Sequence, residues 1–270
     1  MTERFVDRQY LTGVQYASDV NLASRQAVYR FQDPPVDNPA WSLDLAELLG
    51  AERVLDVGCG NGVHLAELAR RAHEGAVIGM DLSPGMLVAA RSHARPQTSL
   101  LVGDAQLLPL VSSSIDCVLA MHMLYHVPDR DGAIVEIRRV LRPGGVALVF
   151  TNSVQHLGPL NEMIAAVLSD LGTAVEPGSG RPYFGFSSES GGTELERHFR
   201  SVERRDARSE LVVTEVGPIV EYVGTMTWIL GSDDSTARRV LREVEERVAA
   251  IIETDGAFRI RTDVGCFVCR

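Results

Sequence analysis

Basic residues are the scarce class in this chain. Twenty-six of them stand against 36 aspartates and glutamates, a formal charge of −10. A surface of that sign repels a phosphate backbone, so neither a nucleic-acid partner nor a nucleic-acid substrate is expected. The basic pairs Arg138-Arg139 and Arg238-Arg239 fall on segments of amphipathic helical spacing, where a solvated face accounts for them. Long apolar runs are missing as well: none reaches the ~20 residues needed to cross a bilayer. Met1-Thr2-Glu3-Arg4 opens no signal-peptide apolar stretch, so a cytoplasmic protein with no membrane association is expected.

Cysteine is sparse. Residues 59, 117, 266 and 269 are too few for a disulfide scaffold. Cys266 and Cys269 form a lone C-x-x-C inside an expected strand, where positions three apart point to opposite faces. With no second ligand pair in the sequence, no metal is expected.

What is present reads as one domain of 270 residues. Short apolar runs at Val54–Val57, Ala76–Asp81, Leu100–Val102, Ile115–Ala120 and Val146–Phe150 alternate with helix-period segments near 63–72, 84–94 and 131–141. That alternation predicts βαβ units in a Rossmann-like parallel sheet, with the loops after the strands along one edge. Ser83-Pro84 supplies an N-cap and a first-turn proline, and Arg142-Pro143-Gly144-Gly145 stops the third helix. Beyond these, a helix is expected over 158–171, a mobile Gly/Ser/Pro-rich stretch over 173–192, and strands over 199–205 and 259–269. An apolar helix near 216–230 and an amphipathic one near 236–253 complete the pattern.

The segment with chemical content is Asp56-Val57-Gly58-Cys59-Gly60-Asn61-Gly62. A strand running into D-x-G-x-G-x-G turns sharply and presents bare peptide to a ligand. A nicotinamide dinucleotide fingerprint needs glycine at position 63, which is Val63. Asp81 ends the second strand, where a carboxylate can accept both ribose hydroxyls. Asp104 ends the third and can accept from an exocyclic adenine amine, with the Ala105 amide beside it. Each aspartate alone is equally a turn cap; together, at consecutive strand ends, they make a nucleoside site.

These motifs, followed by Asp81-Leu82-Ser83-Pro84-Gly85-Met86-Leu87, Gly103-Asp104-Ala105, Met121-His122-Met123-Leu124-Tyr125-His126-Val127-Pro128-Asp129 and Glu136-Ile137-Arg138-Arg139-Val140-Leu141-Arg142-Pro143-Gly144-Gly145, resemble class I S-adenosylmethionine-dependent methyltransferases of the type 11 group over residues 50–155. The resemblance implies a seven-stranded, mostly parallel sheet with the last strand antiparallel, plus a helical cover. It also implies in-line transfer of the sulfonium methyl, leaving S-adenosylhomocysteine. Gly58, Gly60 and Gly62 would serve the methionine portion, Asp81 and Met86 the ribose and adenine, and Asp104 and Ala105 the adenine edge, with Asp56 and Leu82 also at the cofactor. His122 would face the methyl-transfer region. On that basis residues 1–45 form a helical lid, 46–155 the cofactor-binding core, and 156–270 the acceptor-side helices and last two strands.

The acceptor is not named by any motif. A general base is needed only if the nucleophile arrives protonated, and His122 is the candidate. Asn152, His156 and Tyr222 are candidate substrate contacts, while Tyr125 and His126 are read as packing residues. Tyr10, Tyr16, Asn21, Arg25, Tyr29 and Phe31 lie on a helical stretch ending at Pro34-Pro35. It is either an amphipathic helix packed on the sheet or a lid in which Arg25 or Tyr29 pairs with the cofactor carboxylate. Trp41, Trp228, Met226 and Tyr222 serve either an apolar pocket or the core. The leading expectation is a small-molecule methyl acceptor with oxygen, nitrogen, carbon or carboxylate open. A protein or RNA methyltransferase, a non-catalytic cofactor binder and a nicotinamide dehydrogenase are the alternatives.

Overall fold

The computed structural model describes residues 2–172, 185–227 and 234–270. Its strands are β1 (Gln32–Asp33), β2 (Val54–Val57), β3 (Val77–Asp81), β4 (Ser99–Val102), β5 (Ile115–Met121), β6 (Leu141–Asn152), β7 (Val202–Val213) and β8 (Phe258–Cys269). They form one sheet in the order β1-β7-β8-β6-β5-β2-β3-β4. Strands β2 to β6 pair in parallel, and β8 lies antiparallel between β6 and β7. The Rossmann-like class and the antiparallel last strand match the sequence reading. The strand number does not: the described residues form eight strands rather than seven. The extra one is Gln32–Asp33, paired antiparallel to Leu211 and Glu210 and held by Gln32 Nε2 donating to Thr262 Oγ1.

Helices α1 (Val20–Ala27), α2 (Asn38–Leu45), α3 (Val63–Arg70), α4 (Pro84–His93), α5 (Arg130–Val140), α6 (Gly158–Asp170), α7 (Gly217–Gly224) and α8 (Asp234–Asp255) surround the sheet. Their starts follow from side-chain caps that satisfy amide groups the first turn leaves open. Asp37 accepts from Ala40 N, Ser83 from Met86 N and Asp129 from Gly132 N. Ile134, Ile137 and Val140 of α5 bury against Leu55, Val57 and Val149 on one face. Leu43 and Leu68 cover Leu119, Leu148 and Phe150 on the other. A further cluster packs α6, α7 and α8, through Val167, Ile219, Val223, Val244 and Val248, on Leu211, Val213 and Ile260. Each such aliphatic side chain contributes on the order of 1.5–3 kcal/mol by leaving water. Cys266 and Cys269 are buried on opposite faces, one with Phe150 and one with Phe267, and all four cysteines are free.

Three expectations need correction. The N-terminal stretch is not one helix: turns at Thr2–Phe5 and Leu11–Gln15 precede α1, and a tight turn at Val28–Phe31 follows it. Local side-chain bonds break it up, since Asp7 caps Gln9 N and Asn21 Nδ2 donates to the Gln15 carbonyl. Strand β7 runs far past residue 205, because its charged side chains, Glu203 to Arg208, sit on a solvated strand that pairs residue by residue with β8. Of the supposed mobile stretch, residues 173–184 lie outside the described residues. The remainder is packed: Phe186 is buried, and its carbonyl accepts from Thr151 Oγ1. The apolar helix expected near 216–230 is described as Gly217–Gly224, with Trp228 outside the described residues. No helix among the described residues is long and apolar enough to cross a membrane.

Gly62, at φ +87, caps α3 in the left-handed region, and a Cβ there would meet Ala90 Cα at 3.0 Å. Gly62→Ala is therefore expected to lower stability by about 1–3 kcal/mol in urea unfolding, from left-handed strain and overpacking together. An unchanged midpoint would contradict this close approach of α3 and α4.

Candidate cofactor and acceptor cavity

The strand tips open into a cavity of about 600 Å³. Its first half is made of backbone. Gly58 and Gly60 have φ of +70 and +54 and lie on the wall, where a Cβ would meet Met123 at 2.8 Å and Leu22 at 3.1 Å respectively. Gly62 is not on the wall. Its lack of a side chain serves the packing of α3 on α4, which corrects its assignment to the ligand.

Asp81 is the anchor of this half. Its Oδ2 accepts from Gly60 N at 2.9 Å and its Oδ1 from Ser83 N at 2.8 Å, so one carboxylate joins the glycine loop to the cap of α4. Burial raises its pKa, while the amides of Ser83, Gly60 and Leu82 pull it back down. Each oxygen accepts one of these bonds, leaving further acceptor capacity toward the cavity. Asp56 sits elsewhere than expected: it lies behind the glycine loop, off the wall, with 0% exposure. Neither of its oxygens has a partner among the described residues. Burial, with the Asp81 charge adding to it, pushes its pKa up to about 8. Asp104 and Ala105 are on the wall with Leu82 and Met86. Asp104 Oδ1 accepts from Gln106 N at 2.9 Å, and Arg8 pairs with Oδ2.

The second half is walled by aromatic and imidazole side chains. His126 is neutral, since burial holds it at about 4. Its Nδ1 donates to the Phe5 carbonyl, so Nε2 accepts from the Tyr16 hydroxyl at 3.0 Å. His156 has the other tautomer: Nδ1 accepts from Asp263 N, and Nε2 donates to the Tyr29 hydroxyl at 2.9 Å. His122, at φ +55, follows β5 and packs edge-on to Phe150 with centroids 4.6 Å apart. Burial first, then His156, His64, His126 and Arg25, lower its pKa to about 3. Its ring nitrogens make no hydrogen bond among the described residues. Asn152, Tyr222 and Met226 complete this half, and Asn152 Oδ1 is buried without a partner among the described residues.

Thus Asp81, Leu82, Met86, Asp104, Ala105, Gly58, Gly60, Arg25, Tyr29, His122, Asn152, His156 and Tyr222 come together, while Asp56 and Gly62 stand behind the wall. Tyr125 and His126, read from sequence as packing, line the cavity too. Trp41 does not: it packs edge-on to Phe150 at 5.8 Å inside the core. Sequence reasoning missed Arg8, Leu11, Leu22 and Gln26, because an irregular N-terminal segment carries no periodic signal.

A glycine cradle with acidic strand tips on a doubly wound sheet defines a Rossmann-like nucleoside-binding protein. Residues 55–149, the segment that holds the glycine loop and the acids at 81 and 104, match the family model described as a methyltransferase domain. An uncharacterized methyltransferase of Mycobacterium tuberculosis is 36% identical over 146 residues, 54% of this chain and 58% of that protein. The aklanonic acid methyltransferase of a Streptomyces species is 35% identical over 121 residues, 43% of this chain and 54% of that protein. The chain thus spans about half the length of these curated relatives. A solved structure, a methyltransferase-like protein of Bacillus halodurans, shares the fold with a TM-score of 0.57 at 18% identity, covering 87% of this chain and 99% of that one.

The buried imidazoles make stability pH-dependent. His64, His122, His126 and His156 lie at about 4, 3, 4 and 4, all below the ordinary 6.5 because of burial. The unfolded chain therefore binds more protons, and the stability present above pH 6.5 is lost as pH falls toward 4. The raised carboxyls of Asp56, Asp81 and Asp263 act with the opposite sign, while the lowered carboxyls of Glu52, Glu67, Glu136 and Glu189 act with the imidazoles. Urea midpoints measured across this range are expected to fall with pH, with net proton uptake on unfolding. Midpoints that rise on acidification would contradict the neutral imidazole cluster.

Proposed function

We propose that this chain transfers the methyl group of S-adenosylmethionine to a small-molecule acceptor by in-line displacement. The observation that carries the reading is the continuity of the cavity, from the Gly58–Gly60 cradle and Asp81 at one end to Tyr222 and His156 at the other. Its volume of about 600 Å³ suits small ligands, and the N-terminal segment covers it. The residues fit the cofactor. Glycines leave room for an amino-acid tail against bare backbone, and Asp81 has acceptor capacity for ribose hydroxyls. The Asp81 carboxylate beside the loop complements a cation.

When bound, the sulfonium supplies the electrophile, so the protein's work is positioning. Asp81 and the glycine loop fix the nucleoside end, and Met86, Ala105 and Asp104 bound the space for a base. Tyr16, Tyr29, Met123 and Met226 keep the far end largely apolar and exclude water from the reacting atoms. His122 borders that region as a neutral imidazole whose low proton affinity makes it a weak base, suited to contact more than to proton abstraction. Residues 1–45 act as the lid, 46–155 as the cofactor core and 156–270 as the acceptor side. Relatives named for aklanonic acid and for phthiotriol dimycocerosates support a small-molecule acceptor, and the charge of −10 weighs against nucleic acid.

Asp81→Ala should weaken S-adenosylhomocysteine binding more than tenfold in calorimetry. It deletes a charged acceptor whose hydrogen bonds contribute about 1.5–3 kcal/mol each. Undiminished affinity in a folded variant would remove Asp81 from the site, and failure of the unaltered protein to bind either cofactor form would end the reading.

A further inference from the structure

Helix α1 forms part of the cavity wall through Leu22, Arg25 and Gln26. Leu22 lies over the glycine loop, within 3.1 Å of where a Gly60 Cβ would stand, and Gln26 exchanges hydrogen bonds with Asn61 next to that loop. Arg25 is three residues from Leu22 and four from Tyr29, and its surroundings are those of the other half. Its guanidinium carbon lies 5.3 Å from the centre of the Tyr16 ring, and its Nε donates to the Asn21 carbonyl. The phenols of Tyr16, Tyr222 and Tyr125 act on its charge, and the Tyr16 hydroxyl also hydrogen-bonds with it. Tyr29, on the same side, bonds His156. These groups come from the segment after β5, from α7 and from the start of α6, which wall the part of the cavity away from the glycine loop.

We propose that Arg25 is the specificity-determining residue for the acceptor, and that the acceptor is an apolar molecule bearing a carboxylate whose oxygen is methylated. This deepens the methyltransferase reading and rests on it. Three observations converge. First, a guanidinium on the wall of a largely apolar cavity selects a planar oxyanion over any neutral group of the same shape. Second, the phenols of Tyr222 and Tyr125 stay protonated, because burial raises Tyr222 to about 12 and Tyr125 well above its ordinary value, so both present hydroxyl groups to a ligand in this part of the cavity. Third, the imidazoles that could accept a proton are committed, His126 to Phe5 and Tyr16, and His156 to Asp263 and Tyr29. Of the other two on the wall, His64 pairs with the Ser42 hydroxyl and His122 is a weak base.

A carboxylate needs no base. One of its lone pairs forms the new carbon–oxygen bond as the methyl carbon–sulfur bond breaks. The released electron pair stays on sulfur, and the products are a methyl ester and S-adenosylhomocysteine, with no proton to move. Arg25 would hold one carboxylate oxygen while the other attacks.

The test uses the full chain saturated with S-adenosylhomocysteine and pairs of probes differing only in charge: aromatic carboxylates of one, two and three rings, each against its primary amide. Calorimetry on the unaltered protein should show at least one acid binding tenfold or more tighter than its amide. In Arg25→Gln that preference should collapse to within about twofold, while S-adenosylhomocysteine affinity stays unchanged. Equal binding of acid and amide, binding of neither at any ring size, or a loss of S-adenosylhomocysteine affinity in Arg25→Gln as large as the loss of acid would overturn the assignment. The last result would place Arg25 on the cofactor carboxylate instead. No S-adenosylhomocysteine binding by the unaltered protein would overturn the methyltransferase reading itself. Binding of it without acid preference would overturn only this inference.

Discussion

The carboxylate of Asp81 joins two pieces of backbone that would otherwise part: the glycine loop through Gly60 N, and the start of α4 through Ser83 N. The rest of the site is arranged around that junction. Gly58 N and Cys59 N donate to the Met80 carbonyl one residue upstream, so the loop hangs from the same strand tip that presents the acid. Because the tip is buried, the carboxylate costs free energy wherever its lone pairs go unused. A ligand with paired hydroxyls therefore gains more there than it would at an exposed aspartate. Asp56, more deeply buried and unpartnered among the described residues, is pushed up to about 8 by that burial and by the neighbouring Asp81 charge.

The N-terminal segment over the cavity is attached by polar ties as well as by the buried side chains of Phe5, Leu11 and Val28. Ser83 Oγ donates to the Tyr16 carbonyl, Gln26 and Asn61 hold α1 over the loop, and Gly85 has no side chain where the Ala17 carbonyl presses in. Tyr16 and Tyr29 then reach across to His126 and His156. Polar ties of this kind each contribute about 0.5–1.5 kcal/mol.

The sequence told most where local pattern and global fold agree. The strands β2 to β5, the glycine loop, the Ser83-Pro84 cap and the acids at 81 and 104 were all legible, because periodicity and turn chemistry there have one reading. The N-terminal segment was not, since its turns are set by long-range bonds such as His126 to the Phe5 carbonyl that leave no spacing to detect. The extra strand Gln32–Asp33 has only two residues and exists through pairing with β7. Gly62 illustrates a subtler limit. The motif identifies it as a ligand glycine, yet the need it meets is the nearness of Ala90. A sequence shows that a position requires glycine; only the packing shows whether a ligand or a helix imposes the requirement.

A crystal structure of the full chain grown with S-adenosylhomocysteine tests the central claim most directly. The account requires the ribose hydroxyls within hydrogen-bond distance of the Asp81 carboxylate, the amino-acid tail against Gly58 and Gly60, and the sulfur pointing toward His122. Nucleoside density anywhere else, or none at the strand tips under saturating conditions, would contradict it.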